Sequence, residues 1–393
     1  MDAQAAQDLL TGTPPTDVAP ARPPLVVNAV AHAYNLSAGN ARGQLGPMVR
    51  EGFYGLHAHY NPPGWRMPKE LFQTDQSVEL LARTHFLESG VDVLAYHVLR
   101  LDSLFSDGLC SLAKAVELTH RWPQRVVTYL GIDPTLGAAR CVADMEEQFA
   151  QLPAAVGVKM YPDQVEPYRT FRMDDEALMG PVYDKALELG LKVVAVHKAL
   201  PNGPVPLAPY RMDDVDAAAM THMDLNFEIV HSGMAFVEET AYALARFPNV
   251  YANLEITTML LATAPRLFAE ALATFAHWGG TSKVLYGDGS MFTHPQLALH
   301  NFSGFQWPDD LADKYGLAPL TDAERIGILG GNYQRMTGLD LDARRAQIDA
   351  DEFSAATRER GGLLAPFTSW YAEHGKTPPT GTGPLPEVAG VAA

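Results

Sequence analysis

Eight short apolar runs alternate with stretches whose apolar residues recur at helical spacing, and this eightfold alternation predicts a single (β/α)8 barrel. Two further observations point the same way. The runs are apolar on both faces, as in LKVVAVHKA and NFEIVHSG, which suits strands buried on both sides of a parallel sheet. Several of them also end in a polar residue that can bind metal or carry a proton, and a barrel places its chemistry at the carboxyl ends of its strands.

In chain order, strands are expected at 25–31, 91–98, 125–130, 155–160, 192–196, 227–230, 250–254 and 283–286. Helices are expected at 77–89, stopped by Gly90; 109–121, stopped by Pro123; and 138–151, stopped by Pro153. Further helices follow at 174–189 before Gly190, at 212–223, at 235–246 before Pro248, and at 258–278 before a glycine pair. A doubly wound open sheet is the structural alternative, but its first strand would lead into a glycine-rich phosphate loop, and Ala31-His32-Ala33-Tyr34 is not one.

A long loop follows strand 1, more than forty residues from His32 to about Asp75. Structureless loops of that length are uncommon, so this one is expected to be functional. It contains EGFYGLHAHYNPPGW, whose Phe53, Tyr54, His57, His59, Tyr60 and Trp65 are dense enough to form a lid or a wall of an apolar pocket, with Tyr54, Tyr60 and Trp65 as first candidates; a packing loop over the barrel mouth or a subunit contact is the competing reading. The expected organisation is a mobile tail at 1–23, the barrel at 24–340, a C-terminal helical extension at 341–375 and a loose tail at 376–393.

The chain has 393 residues, 47% hydrophobic and 19% charged, enough for a large core. Its formal charge of −17 and lack of a basic stripe argue against nucleic acid or an anionic membrane as partner. No run approaches the roughly 18 apolar residues of a membrane span. The N-terminus is acidic and proline-bearing, unlike a signal peptide, and two cysteines, Cys110 and Cys141, suit a reducing cytoplasm. The expected partner is a small-molecule substrate, with a homodimer among the states left open.

Reading the residue at or near each strand end gives His32, His97, Asp133, Lys159, His197, His231, Glu255 and Asp288. One buried histidine usually packs and satisfies its own hydrogen bonds; recurrence at successive strand ends is what a core built only for packing does not need. Imidazoles and carboxylates gathered on one axis suit a divalent transition metal such as zinc, iron or manganese, which acidifies water and polarises a substrate oxygen.

VVAVH ending at His197, EIVHSG around His231, VLYGDG around Asp288 and ILGGNYQRMTGL from Ile328, in that order, resemble the amidohydrolase superfamily. Within it, the likeness is to the amidohydrolase-related branch that includes aminocarboxymuconate-semialdehyde decarboxylase-like enzymes, over roughly residues 25–339. The resemblance implies a (β/α)8 barrel whose ligands are an HxH pair on strand 1, histidines on strands 5 and 6, and an aspartate on strand 8. Here the second histidine of HxH matches His32, while Val30, which cannot ligate, holds the first position. The strand-8 spacing also departs, Asp288 directly following Gly287.

The resemblance further implies that Lys159, in GVKMYP, stands where binuclear members carry a carboxylated lysine. His32 and Asp288 would then hold one metal and His197 and His231 a second, with two metals favoured over one and His57 or His59 as substitute ligands. Asp288 would accept a proton from the attacking water, and with one metal His231 would be a proton donor. Glu255 would orient a ligand histidine, and His97 would line the pocket.

The leading expectation is therefore a cytoplasmic, metal-dependent hydrolase that cleaves an amide, ester or thioester of a fairly apolar small molecule through a metal-activated hydroxide. The alternative is a decarboxylase or other carbon–carbon lyase, which needs a cation for a carboxylate; Arg100, Lys198 and Arg211 are the nearest candidates. A non-catalytic barrel is the third reading, motivated by Val30 and opposed by the retention of His197, His231 and Asp288 together.

Overall fold

The computed structural model describes residues 24–377, and the expected tails lie outside them except for residues 376 and 377. One eight-stranded parallel sheet forms the centre: β1 (Val27–Ala31), β2 (Val93–His97), β3 (Val126–Gly131), β4 (Gly157–Met160), β5 (Val193–His197), β6 (Asn226–Val230), β7 (Val250–Asn253) and β8 (Val284–Leu285). Neighbours in sequence are neighbours in the sheet. The Ala29 N–H donates to Tyr286 O just past β8 at 3.0 Å, bringing the last strand back onto the first and nearly closing the barrel. The predicted (β/α)8 barrel is what forms.

The alternation along each strand divides the core in two. Val194, Val196, Phe227, Ile229 and Ala252 face the helical layer. Val93, Ala95, Val127, Tyr129, Val193, Ala195, Tyr251 and Leu285 fill the interior, and Tyr333 and Met336 are part of the same cluster. Val30 is fully buried in this interior cluster and packs at the position where the resemblance implies a ligand.

The connection after β1 carries structure of its own: the helix Leu45–Tyr60, a 3-10 turn at Pro63–Trp65 and the short helix Lys69–Phe72. Three glycines, Gly46, Gly52 and Gly55, lower its intrinsic helix preference, so it reads as loop in the sequence. The helix expected at 258–278 is broken, with Leu260–Thr263 ending before a second helix that starts at Pro265; the fixed φ and missing N–H of proline suit the first turn of a helix and not its interior. The helix expected from 109 begins at Leu112, because the Ser111 hydroxyl caps it by accepting from Lys114 N. Helices Leu341–Ala350, Glu352–Arg360 and Thr368–Glu373 follow the barrel. Among the described residues, no helix is long and apolar enough to cross a membrane.

Candidate active site

A cavity of about 370 Å³ opens over the carboxyl ends of the strands. His32, Lys159, Tyr161, His197 and His231 form its polar floor, while Tyr34, Val49, Phe53, Leu56, Ile256 and Phe292 make apolar walls. Three non-glycine residues in the left-handed region lie at this end of the barrel: Ala199 (φ 60°), His231 (φ 69°) and Ile256 (φ 64°), just past β5, β6 and β7. Such backbone is costly for L residues and collects where geometry serves a site.

His197 and His231 face each other with Nδ1 of the first 2.9 Å from Nε2 of the second. Their outer nitrogens meet only oxygen acceptors. His197 Nε2 donates to Leu200 O at 2.6 Å. His231 Nδ1 lies 3.4 Å from Glu255 O and 2.5 Å from the Glu255 carboxylate; the ring N–H is aligned with the carbonyl rather than with the carboxylate oxygen. An imidazole that donates from one nitrogen offers a lone pair from the other. Two neutral rings held this way would point lone pairs at each other across 2.9 Å, an arrangement that calls for a cation or a proton between them. Burial, then His231 and Lys159, hold the His197 pKa well below its ordinary value of 6.5, so this ring is neutral.

The His32 ring lines the same floor, and its buried Nδ1 has no hydrogen-bond partner. Burial and the charge of Lys159 push its pKa well down, leaving a neutral ring in the form that binds metals. Lys159 is buried on β4, its ammonium 5.4 Å from the Tyr161 ring centre; burial lowers its pKa to about 8 against the opposing pull of Glu228 and Glu255. Tyr161 stacks on His197 with ring centres 4.5 Å apart.

Asp288 does not line this cavity. Its Oδ1 accepts from Ser290 N at 2.8 Å, its own N–H donates to Asn28 Oδ1 at 3.2 Å, and its buried Oδ2 lies 3.5 Å from His85 Nε2 without a hydrogen bond. His85, which in sequence looks like an ordinary helical histidine, donates from Nδ1 to Leu81 O at 2.8 Å and accepts at Nε2 from Ser290 Oγ at 2.9 Å.

A family model described as amidohydrolase matches residues 56–339. The chain belongs to the amidohydrolase family. No curated protein matches it. Among solved structures, it is similar to an uncharacterized TIM-barrel protein from Bordetella bronchiseptica, with 17% identity over 82% of this chain and 99% of that one and a TM-score of 0.55. It is also similar to a 5-carboxyvanillate decarboxylase from Novosphingobium aromaticivorans with bound manganese, at 11% identity over 80% of this chain and 97% of that one, TM-score 0.46. A third is a probable 2-pyrone-4,6-dicarboxylic acid hydrolase from Acinetobacter baumannii, at 12% identity over 80% and 99%, TM-score 0.45.

Catalysis in the amidohydrolase family is in general metal-dependent. Among the described residues, no three His, Cys, Asp or Glu side chains are already gathered as a complete cradle. The facing nitrogens of His197 and His231 nevertheless fit a metal: each related N–H is tied to oxygen, the arrangement that fixes the tautomer of a ligating histidine.

Of the remaining sequence candidates, none but Glu255 reaches these groups. His57 spends both ring nitrogens, donating from Nδ1 to Phe292 O at 2.7 Å and accepting at Nε2 from Met67 N at 2.6 Å, and burial lowers its pKa to about 4. Tyr54 lies against His57 and Phe72, Trp65 against His294 and Phe367, and His59 against Tyr60 with its side chain exposed. His97 sits inside the barrel, stacked on Tyr129 with ring centres 3.9 Å apart, its Nε2 3.1 Å from Ala29 O. Tyr54, His57, His59, Tyr60, Trp65, His97 and Glu255 do not line the cavity.

Of the aromatics expected there, Phe53 does form the wall, together with Val49 and Leu56 on one side of the Leu45–Tyr60 helix at its three- and four-residue spacing. That spacing is visible in the sequence and separates the cavity side from the denser aromatics beside it. The three cations considered for a carboxylate are occupied elsewhere. Arg100 pairs with Asp102 and Asp144, Lys198 with Asp214 and Pro209 O, and Arg211 with Glu239.

Proposed function

We propose that the protein is a metal-dependent hydrolase that cleaves an acyl bond, in an ester, thioester or amide, of a small and largely apolar molecule. The observation that carries this reading is the His197–His231 pair, whose inner nitrogens face each other while their outer N–H groups are tied to Leu200 and Glu255. In this reading His197 and His231 hold the cation, with His32 beside them on the floor. When bound, it acts as a Lewis acid that polarises the acyl oxygen and acidifies water.

The chain's own groups do the rest. Glu255, fully buried, accepts the His231 Nδ1–H at its carbonyl and sets its carboxylate 2.5 Å from the same nitrogen, so that Nε2 faces inward. Lys159 supplies a fixed ammonium where negative charge develops on the substrate oxygen, and its burial makes that charge count for more. Tyr161 holds the His197 ring flat against it. The walls formed by Phe53, Leu56 and Phe292 bind the apolar body of the substrate. Asp288, expected as ligand and proton acceptor, has no assigned step here.

Decarboxylation is the second reading, and one observation favours it: Lys159 is the one Lys or Arg side chain among the residues lining the cavity, set in its floor beneath apolar walls, a setting that suits a carboxylate. A carboxylated Lys159 would add negative charge beside Glu228 and Glu255, so the ammonium form suits this environment better. Incubating the purified enzyme with a panel of aryl and alkyl esters, thioesters, amides and lactones, together with hydroxylated aromatic acids, separates the two. Release of acid without carbon dioxide supports hydrolysis; carbon dioxide from the acids moves the assignment to the lyase. Turnover of neither class contradicts both.

A further inference from the structure

Along the Leu45–Tyr60 helix, Met48, Gly52 and Leu56 follow one another at four-residue spacing, and all three line the cavity. Such residues share one side of a helix. The middle one has no side chain, and a Cβ built there meets no atom within 4 Å. Gly52 is in the helix interior, where glycine costs roughly 1 kcal/mol against alanine. Its φ is not in the left-handed region, so neither backbone conformation nor a close neighbour requires a glycine there. What its absence of a side chain provides is space.

The position of that space is informative. Opposite the helix, the segment after β5 lines the cavity from Leu200 to Pro204, and at Gly203 an added Cβ would stand 3.1 Å from Val49 Cγ2. The two rims therefore come close beside Val49, whereas Gly52, exposed between Met48 and Leu56, has open space where its side chain would be. Met48, 53% exposed, leaves an apolar side chain at this opening. The same cavity that has Lys159, His197 and His231 at its floor thus reaches solvent through a notch with apolar flanks.

We propose that Gly52 is the specificity-determining position of this site: the substrate is a carboxylate or acyl derivative whose polar head rests at Lys159 and His231 and whose unbranched apolar tail leaves through the notch between Met48 and Leu56. This rests on the reading of the cavity floor as the reacting end. The tail covers Met48 and Leu56, and each methylene so buried strengthens binding by up to about fourfold.

The test is calorimetric titration of butyrate, hexanoate, octanoate and decanoate into the wild type, Gly52→Ala and Gly52→Leu. Leucine is a better helix former than glycine, so the last variant is expected to unfold at or above the wild-type temperature. In the wild type, affinity climbs with chain length. In Gly52→Leu the climb stops short, decanoate losing about tenfold or more, the loss expected from excluding two methylenes, while butyrate stays within about twofold. Gly52→Ala, adding one methyl group, falls between.

Equal losses at every chain length, an unchanged decanoate affinity, or a wild type that binds no carboxylate each overturn the proposal. The functional reading fails separately. Length-dependent binding without turnover of any ester or aromatic acid contradicts that reading and leaves the notch assignment in place; turnover with the same chain-length profile in wild type and Gly52→Leu does the reverse.

Discussion

The two halves of the barrel mouth are built to different degrees. At the ends of β5 and β6, His197 and His231 present nitrogens to each other at 2.9 Å, and each outer nitrogen is anchored to oxygen. At the ends of β1 and β8, Val30 fills the barrel core, and Asp288 is engaged with Ser290 and Asn28 next to His85, out of the cavity. The contrast teaches that a polar residue just past a strand end is not thereby placed in the cavity. What sets the β5–β6 half apart is the set of hydrogen bonds that fixes which nitrogen carries a proton.

If that half carries the chemistry, removing His231 has the largest effect. His231→Ala is expected to lower kcat by about a hundredfold or more, because losing an imidazole that holds the cation should cost at least as much as losing a group that only orients one, with circular dichroism unchanged. Retained kcat would place the reaction elsewhere in the mouth. Glu255→Gln keeps the shape but removes the charge beside His231 Nδ1. Metal affinity or turnover should fall about 10–100-fold, as for other residues that orient a ligand histidine; an unchanged affinity would make Glu255 a packing residue.

Lys159 sharpens the comparison through pH. Burial lowers its pKa from 10.5 to about 8, so the ammonium is present below that value and lost as pH rises through it. Turnover should therefore fall on the alkaline side near pH 8. Between about 8 and 10.5 the unfolded chain holds this proton and the folded one does not, so this group's contribution to stability rises with pH across the same window. Activity and thermal stability measured together should diverge there, and Lys159→Met should lower the rate and erase the alkaline limb. A limb that survives in the variant belongs to another group.

The smallest effect is expected at β8. Asp288→Asn keeps an oxygen for Ser290 N and should change metal affinity less than Glu255→Gln does. The reverse order would show that the β1–β8 half is the more important one.

Much of this barrel mouth was legible in the sequence. His197 and Lys159 stand inward because the alternation along β5 and β4 puts them there, and both runs are apolar enough to be recognised as buried strands. The loss at Val30 was equally plain. Three features were not legible, each for a physical reason. The orientation of Asp288 depends on Asn28 and His85, which are more than two hundred residues away and approach only after the barrel closes. The tautomers of His197 and His231 depend on carbonyls that no pattern of side chains reveals. Of the aromatics expected in the cavity wall, Phe53 lines it together with Val49 and Leu56, while Tyr54 and His57, on the neighbouring side of the same helix, turn toward Phe72.

The central claim is that the His197–His231 pair is poised for a cation, with His32 beside it on the floor and without Asp288. Elemental analysis of the wild type, His197→Ala and Asp288→Asn, each purified without added metal, tests it most directly. The account predicts a bound divalent transition metal in the wild type, its loss in His197→Ala, because one missing imidazole weakens the whole site, and its retention in Asp288→Asn. Full metal occupancy in His197→Ala, or loss confined to Asp288→Asn, would contradict it.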